Sequence, residues 1–185
     1  MSRHSGLLQL EGTFCILLAM MFLVLPLRWL MAVIFAMGFH ECCHFWMLRI
    51  LGVEVYTLRL GVSGAAMETE PMTSGRELLA AIAGPLGSGV LVLLIPWAPR
   101  IGICGLIHCL YNLLPLFPMD GGRVLRSALR LWLPHRLAEK IFGGTQKVLG
   151  FILLLLCIFL VHFKMTVVLP VLIFLLWKRL HKRTV

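Results

Sequence analysis

Six long apolar runs dominate this chain and limit the folds open to it. Each is close to the roughly 17–25 residues that an α-helix needs to cross about 30 Å of hydrocarbon. Only 14% of the chain is charged, whereas soluble domains average about 25%. We therefore predict an α-helical polytopic membrane protein with about six transmembrane helices, in which the last two runs could instead form a broken hairpin that does not fully cross. The runs are residues 13–27, 29–48, 78–97, 101–118, 145–163 and 165–178.

The positions of lysine and arginine predict the orientation in the membrane, because cytoplasmic loops retain these residues. With a cytoplasmic N-terminus, only Arg28, Arg100 and Lys164 of the 17 basic residues fall outside. We therefore expect a multi-pass protein of the cell membrane, in a bacterium, with both termini in the cytoplasm. The net charge of +9 then reflects topology and contact with anionic lipid headgroups, so no nucleic-acid partner is predicted.

A His-Glu-x-x-His pattern lies inside the second apolar run. Four helical residues turn slightly more than once, so His40 and His44 emerge on one face and can bind a single Zn²⁺. Glu41 flanks that face, where it can accept a proton from a water on the zinc. An ionisable residue costs about 2.5–3.5 kcal/mol at the bilayer centre, which argues for a function. The alternative is a polar patch that satisfies neighbouring helices.

A catalytic zinc site needs a third protein ligand, and Asp120 is the strongest candidate. It lies in a segment with two prolines and two glycines, residues 112–123, and the predicted topology brings it to the cytoplasmic side with the His pair. Without that pair, a turn or helix N-cap role would be the default. Cys42 and Cys43 are weaker alternatives, because Cys42 points away from both histidines on the helix. The remaining histidines, including His108, have no ligand spacing and are interpreted as ordinary polar residues.

Two further segments predict local structure. Residues 53–60 are rich in β-branched and aromatic side chains, a glycine-containing turn follows, and residues 65–70 can return as a second strand. This pattern predicts a short interfacial β-hairpin that lines the active-site cavity. Its edge could hold an unwound substrate strand by main-chain pairing, and the alternative is a plain connector. Arginines at three- and four-residue spacing over residues 123–133 predict an amphipathic helix along the inner membrane surface.

Three motifs together resemble the site-2 protease family of intramembrane zinc metalloproteases, over about residues 29–130. The resemblance implies hydrolysis of a peptide bond within or beside a membrane-spanning or membrane-tethered segment of a regulatory protein, that is, regulated intramembrane proteolysis. The motifs are His-Glu-Cys-Cys-His at 40–44, Ala-Gly-Pro at 83–85 and Asn-Leu-Leu-Pro-Leu-Phe-Pro-Met-Asp-Gly-Gly-Arg-Val at 112–124.

The family resemblance also implies roles for single residues and one zinc ion per chain. The family often has Asn where this chain has Ser88, which leaves open any polar role at that position. The implied roles are zinc ligation by His40, His44 and Asp120, general-base catalysis by Glu41, and positioning of the substrate near the scissile bond by Asn112.

The chain is expected to form a single intramembrane metalloprotease domain over residues 1–185. About 30 residues separate the second and third runs and about seven follow the sixth, too few for the PDZ or CBS domains that many relatives carry. The chain thus resembles the compact bacterial branch that includes the protease acting on a sporulation sigma-factor precursor. Regulation is then expected from partner membrane proteins.

Two other classes of function remain open. A divalent-metal transporter also places histidines and carboxylates in membrane spans, but it does not need Glu41 in the general-base position. Many transporters also have internal repeats, which are not evident in this sequence. An inactive relative that binds membrane helices would normally lack one of the two histidines, Glu41 or Asp120, and all four are present.

Overall fold

The computed structural model of the protein describes residues 8–61 and 64–162 of the 185 residues. The sixth predicted run, residues 165–178, lies outside the described residues. The chain divides into two compact units, Met1–Asn112 and Leu113–Val185.

The first unit combines a small sheet with helices, and the second is helical where it is described. The first unit contains β1 (Leu8–Leu10), α1 (Gly12–Val24), α2 (Leu27–Ile50), β2 (Val55–Gly61), β3 (Gly64–Thr69), α3 (Ser74–Val90), a short 3-10 helix (Leu91–Leu94) and α4 (Pro99–Asn112). The second unit contains α5 (Asp120–Trp132) and α6 (His135–His162).

Three of the described helical segments are long and apolar enough to cross a membrane: Leu27–Ile50, Ser74–Leu94 and His135–Leu160. α1 is also apolar but has only 13 residues. α4 ends at Asn112, because the prolines that follow in the fourth run cannot continue a helix. The helical membrane-protein class is therefore supported, and the count of six transmembrane helices stays a prediction.

The predicted β-hairpin is confirmed, within a three-stranded sheet of order β1-β2-β3. β2 and β3 pair antiparallel, with Leu58 opposite Met67. β1 pairs parallel with β2. This strand is not predicted from the sequence, because three residues are too few to show an alternation of apolar and polar side chains. β1 covers one edge of β2. Within the described residues, the predicted substrate-holding edge must therefore belong to β3.

Small residues bring α2, α3 and α4 into close contact. Ala32 and Ala36 of α2 share a buried cluster with Cys104 of α4. A Cβ atom added at Gly105 of α4 would lie 2.8 Å from the carbonyl oxygen of Ser88 in α3. Lipid tails are as apolar as large side chains, so close contact between small residues favours helix association in a membrane. These contacts position α3 and α4 beside the helix that carries the His-Glu-x-x-His pattern.

In the second unit, α5 matches the predicted amphipathic helix and is joined to α6 by ion pairs. Arg126 Nη2 lies 3.0 Å from Glu139 Oε2, and Arg130 Nε lies 2.7 Å from Glu139 Oε1. Arg126 Nε also donates to Glu139 Oε1 at 3.1 Å, so this arginine binds the carboxylate through both oxygens. Bidentate pairing of this kind fixes the geometry of the two helices more firmly than a single contact would.

Gln146 of α6 holds the proline-rich loop that precedes α5. Its Oε1 accepts a hydrogen bond from the backbone N–H of Phe117 at 2.9 Å, and its Nε2 donates to the carbonyl oxygen of Pro115 at 2.8 Å. Pro115 and Pro118 have no N–H of their own, so the loop has few backbone donors with which to hold itself. The buried Gln146 side chain replaces part of that missing pairing.

Candidate metal centre

The two histidines of α2 form a buried pair in the first unit. His40 is 2% exposed and His44 is 7% exposed, and their Nε2 atoms lie 3.0 Å apart. In a tetrahedral zinc site, two nitrogens that are each about 2.0–2.1 Å from the metal lie about 3.3 Å apart. The observed separation is close to this value, so the pair fits a metal ion bound between the two nitrogens.

The other ring nitrogen of each histidine is held by α3. His44 Nδ1 lies 2.7 Å from the carbonyl oxygen of Ala80, which can only accept a hydrogen bond. His44 therefore carries its proton on Nδ1, and the lone pair of Nε2 is left for a metal. His40 Nδ1 lies 2.9 Å from the hydroxyl oxygen of Ser88, which is fully buried. The Ser88 hydroxyl oxygen can accept a hydrogen bond from His40 Nδ1–H in the same way, so the Nε2 atoms of both rings could bind a metal.

Gly84 gives the Nε2 atoms the space they occupy. A Cβ atom added there would clash with His44 Nε2 and lie 2.6 Å from His40 Nε2. The Ala-Gly-Pro motif thus has a physical role, because only glycine allows the backbone of α3 to pass beneath both nitrogens. The same helix surface is buried and mostly small, including Ala80, Ala81 and Ala83.

The other residues of the motif on α2 have different surroundings. Glu41 is half-buried and directly follows His40. Cys42 is exposed, and Cys43 packs against α3, where a Cβ atom at Gly87 would clash with its sulfur. Cys43 therefore takes part in helix packing, which gives it a structural role independent of any metal.

His108 is a neighbour of the His pair that the sequence analysis misses. Its ring, on α4, lies 4.5 Å from the His40 ring, centroid to centroid, at an angle of 87°. The side chain is half-buried. No spacing rule could have identified it, because it comes from a different helix, 68 residues beyond His40. The interpretation of His108 as an ordinary polar residue is therefore incomplete, since its ring belongs to the surroundings of the candidate ligands.

In the second unit, Asp120 is the first residue of α5 and is 8% exposed. The N-cap of this helix is Met119, so the alternative role of Asp120 as the N-cap is not what the structure has. A Cβ atom at Gly121 would clash with backbone atoms of Leu113, which explains the glycine that follows.

Asn112, the predicted substrate-positioning residue, ends α4. Its Nδ2 donates a hydrogen bond to the carbonyl oxygen of His108 at 3.0 Å. This contact links the Asn112 side chain to the backbone one helical turn earlier. The amide oxygen and the second N–H bond are the groups through which Asn112 could contact a substrate.

Ser88→Ala is expected to weaken zinc binding by about 10–100-fold, because residues that hydrogen-bond to metal-bound histidines typically contribute that much. The change removes the acceptor for His40 Nδ1. The measurement is zinc affinity by competition with a chromogenic chelator. Ser127→Ala is the matched control, because Ser127 is equally buried but its hydroxyl has no hydrogen-bond partner among the described residues. Equal zinc affinity in the Ser88 and Ser127 variants would show that Ser88 does not contribute to zinc binding.

Comparisons with known proteins give two sequence relatives and a similar solved structure. No family sequence model matches the chain. The chain is 35% identical over 131 residues to a zinc metalloprotease of Methanocaldococcus jannaschii, which covers 63% of this chain and 38% of the relative. It is 36% identical over 104 residues to a Synechocystis sp. protein provisionally named as a zinc metalloprotease, which covers 48% of this chain and 27% of the relative. The chain therefore spans less than two fifths of the length of either relative.

A solved structure has the same fold. The site-2 protease from Methanocaldococcus jannaschii superposes with a TM-score of 0.71, covering 98% of this chain and 93% of that one, at 22% sequence identity. This fold agrees with the resemblance deduced from the three sequence motifs. The chain is thus similar to zinc metalloproteases in sequence and to a site-2 protease in fold.

Proposed function

We propose that this protein is an intramembrane zinc metalloprotease that hydrolyses a peptide bond within or next to the membrane segment of another protein. The observation that carries the proposal is the buried His40–His44 pair, with Nε2 atoms 3.0 Å apart and Nδ1 atoms held by α3. A pair that served only to satisfy neighbouring helices would not need both Nε2 atoms to face each other across Gly84. The zinc metalloprotease relatives support the same assignment.

We propose Asp120 as the third zinc ligand. Catalytic zinc sites commonly combine two histidines with one carboxylate and leave a fourth position for water. Asp120 is the only aspartate in the chain, and it is buried although its side chain is charged in the form that binds metal.

Asp120→Ala is expected to lower zinc affinity at least about 100-fold, since it removes a direct ligand. His40→Ala and His44→Ala are expected to do the same. The control is Glu54→Ala, which removes an exposed carboxylate. Zinc content after dialysis against a weak chelator provides the measurement. Full zinc affinity in the Asp120 variant would mean that the third ligand lies elsewhere, and Cys43 would be tested next.

In the proposed hydrolysis, the metal and the residues of this chain have different roles. Zinc, when bound, polarises a carbonyl oxygen and acidifies a water molecule. Glu41 accepts a proton as the water oxygen attacks the scissile carbonyl carbon, and it then delivers that proton to the amine nitrogen as the C–N bond breaks. Asn112 is proposed to hold the substrate backbone beside this bond. A helical substrate has its carbonyl groups hydrogen-bonded, so it must unwind locally before attack.

The proposed substrate is a membrane-spanning or membrane-tethered regulatory protein, and further membrane proteins are proposed as regulators. The test is co-expression of the protein with candidate tethered regulators, comparing the unaltered chain with Glu41→Gln. A released fragment that appears only with the unaltered chain would identify a substrate. If no zinc-dependent cleavage of any membrane-embedded protein or peptide occurs, the proposal is wrong.

The sidedness of the protein gives a separate prediction, with both termini proposed to be cytoplasmic. Glu70→Cys and His135→Cys are expected to react with a membrane-impermeant thiol reagent only when the cytoplasmic face is accessible, and Pro99→Cys only from outside. The unsubstituted protein has six native cysteines, and its reaction with the reagent gives the background labelling. The reverse labelling pattern would contradict the orientation drawn from the lysine and arginine distribution.

A further inference from the structure

A cavity of about 400 Å³ in the first unit is separate from the metal site and has no role in the proposed reaction. It lies between the start of α2 and the turn that precedes α4. Its volume is at the lower end of the roughly 300–1,000 Å³ that is usual for ligand sites. The lining residues that matter here are Arg28, Met31, Phe35, Trp97, Arg100 and Ile101.

Two arginines, Arg28 and Arg100, line this one cavity, and no acidic residue lines it. Both side chains are exposed, and within the described part of the chain neither forms an ion pair. Two cations that share a cavity repel each other unless an anion lies between them. Arginine is especially suited to phosphate, because its planar group donates two parallel hydrogen bonds. The charges therefore favour a phosphate group as the anion.

The remaining wall of the cavity is apolar and exposed. Met31, Phe35 and Trp97 are 60%, 48% and 80% exposed, although each is a large apolar side chain. Tryptophan is enriched where a membrane meets water, with its ring at the level of the lipid headgroups. A ligand that satisfies both parts of the cavity must have a phosphate at one end and hydrocarbon at the other.

The orientation prediction supplies an independent observation. Only three basic residues are predicted to lie outside, and two of them, Arg28 and Arg100, come together on this cavity although they are distant in sequence. We propose that the cavity binds the phosphate headgroup of an anionic phospholipid, with its acyl chains along Met31 and Phe35. This proposal concerns lipid binding at the outer ends of α2 and α4, and it does not depend on the protease assignment.

The test measures phosphatidylglycerol bound to the purified full-length protein in nanodiscs of phosphatidylcholine with increasing phosphatidylglycerol, by native mass spectrometry. The double variant Arg28→Gln/Arg100→Gln is expected to need at least tenfold more phosphatidylglycerol for half-saturation. The control Arg59→Gln/Arg76→Gln removes the same total charge from exposed arginines elsewhere in the first unit, and less than a twofold change is expected. An equal loss of phosphatidylglycerol binding in the two double variants would overturn the proposal.

Two further measurements keep the proposal testable if the double variant folds poorly. Trp97→Ala leaves the charge unchanged and is expected to weaken phosphatidylglycerol binding severalfold, since it removes the aromatic wall. Inorganic phosphate and glycerol phosphate at 10-fold excess over the lipid are expected not to displace it. Displacement by either, or equal retention of phosphatidylcholine, would contradict a phospholipid site.

Discussion

Glu41→Gln is expected to leave zinc bound while lowering peptide-bond hydrolysis by about 10²–10⁴-fold, the range that a positioned general base contributes. Glutamine has nearly the same shape, so the packing of α2 against α3 should persist. Its amide cannot accept a proton from water. Zinc content of the purified variant and cleavage of a co-expressed tethered substrate are the two measurements, and only the second is expected to change.

Glu54→Gln is a suitable control for this experiment, because Glu54 is exposed and precedes β2. It should retain both zinc and activity. A Glu41→Gln protein that cleaves at the normal rate would show that another group acts as the base. A variant that loses zinc as well would instead indicate that Glu41 contributes to metal binding.

Gly84→Ala is expected to abolish tight zinc binding, with a loss of more than about 100-fold in affinity. The added methyl group would occupy the space that the Nε2 atoms of His40 and His44 share, so at least one ring must rotate. Rotation would also break the hydrogen bond from Nδ1 to Ala80 or Ser88. The measurement is zinc affinity by chelator competition, together with the thermal unfolding midpoint of the metal-free protein.

Gly38→Ala provides a matched control, since Gly38 lies on α2 and a Cβ atom there would meet nothing within 4 Å. Alanine has a higher helix propensity than glycine, by about 1 kcal/mol in a helix interior, so neither substitution should weaken its helix intrinsically. Both variants should therefore be folded, but only Gly84→Ala should lack zinc. Unchanged zinc affinity in Gly84→Ala would show that zinc binding does not need the space at Gly84 that the two Nε2 atoms share.

The parts of the site that sequence could predict are those with a local spacing. His40 and His44 are one helical turn apart, so a single helix is enough to bring them together. The hairpin was likewise predictable, because β2 and β3 follow each other closely in sequence and pair antiparallel. The prolines before Asp120 predict the end of α4, and the arginine spacing over residues 123–133 predicts α5.

The parts that sequence could not predict depend on contacts between distant segments. Ser88 and His108 reach His40 only because small residues bring α3 and α4 against α2. β1 is recognised by its pairing with β2 rather than by any pattern of its own. The number of transmembrane helices is similarly difficult, because the apolarity of a run does not determine where its helix begins and ends. α4, for example, is shorter than the run that contains it.

The hydrogen bonds from Gln146 to the loop before α5 lower the conformational entropy that binding at Asp120 would cost. A ligand on a mobile loop loses conformational freedom at the moment of binding, at about 1–2 kcal/mol per residue that becomes fixed. Here α6 holds Pro115 and Phe117 in place through one side chain, so most of that ordering occurs during folding. The proposed affinity of the Asp120 carboxylate for zinc would therefore depend in part on α6, a helix to which no zinc ligand is assigned.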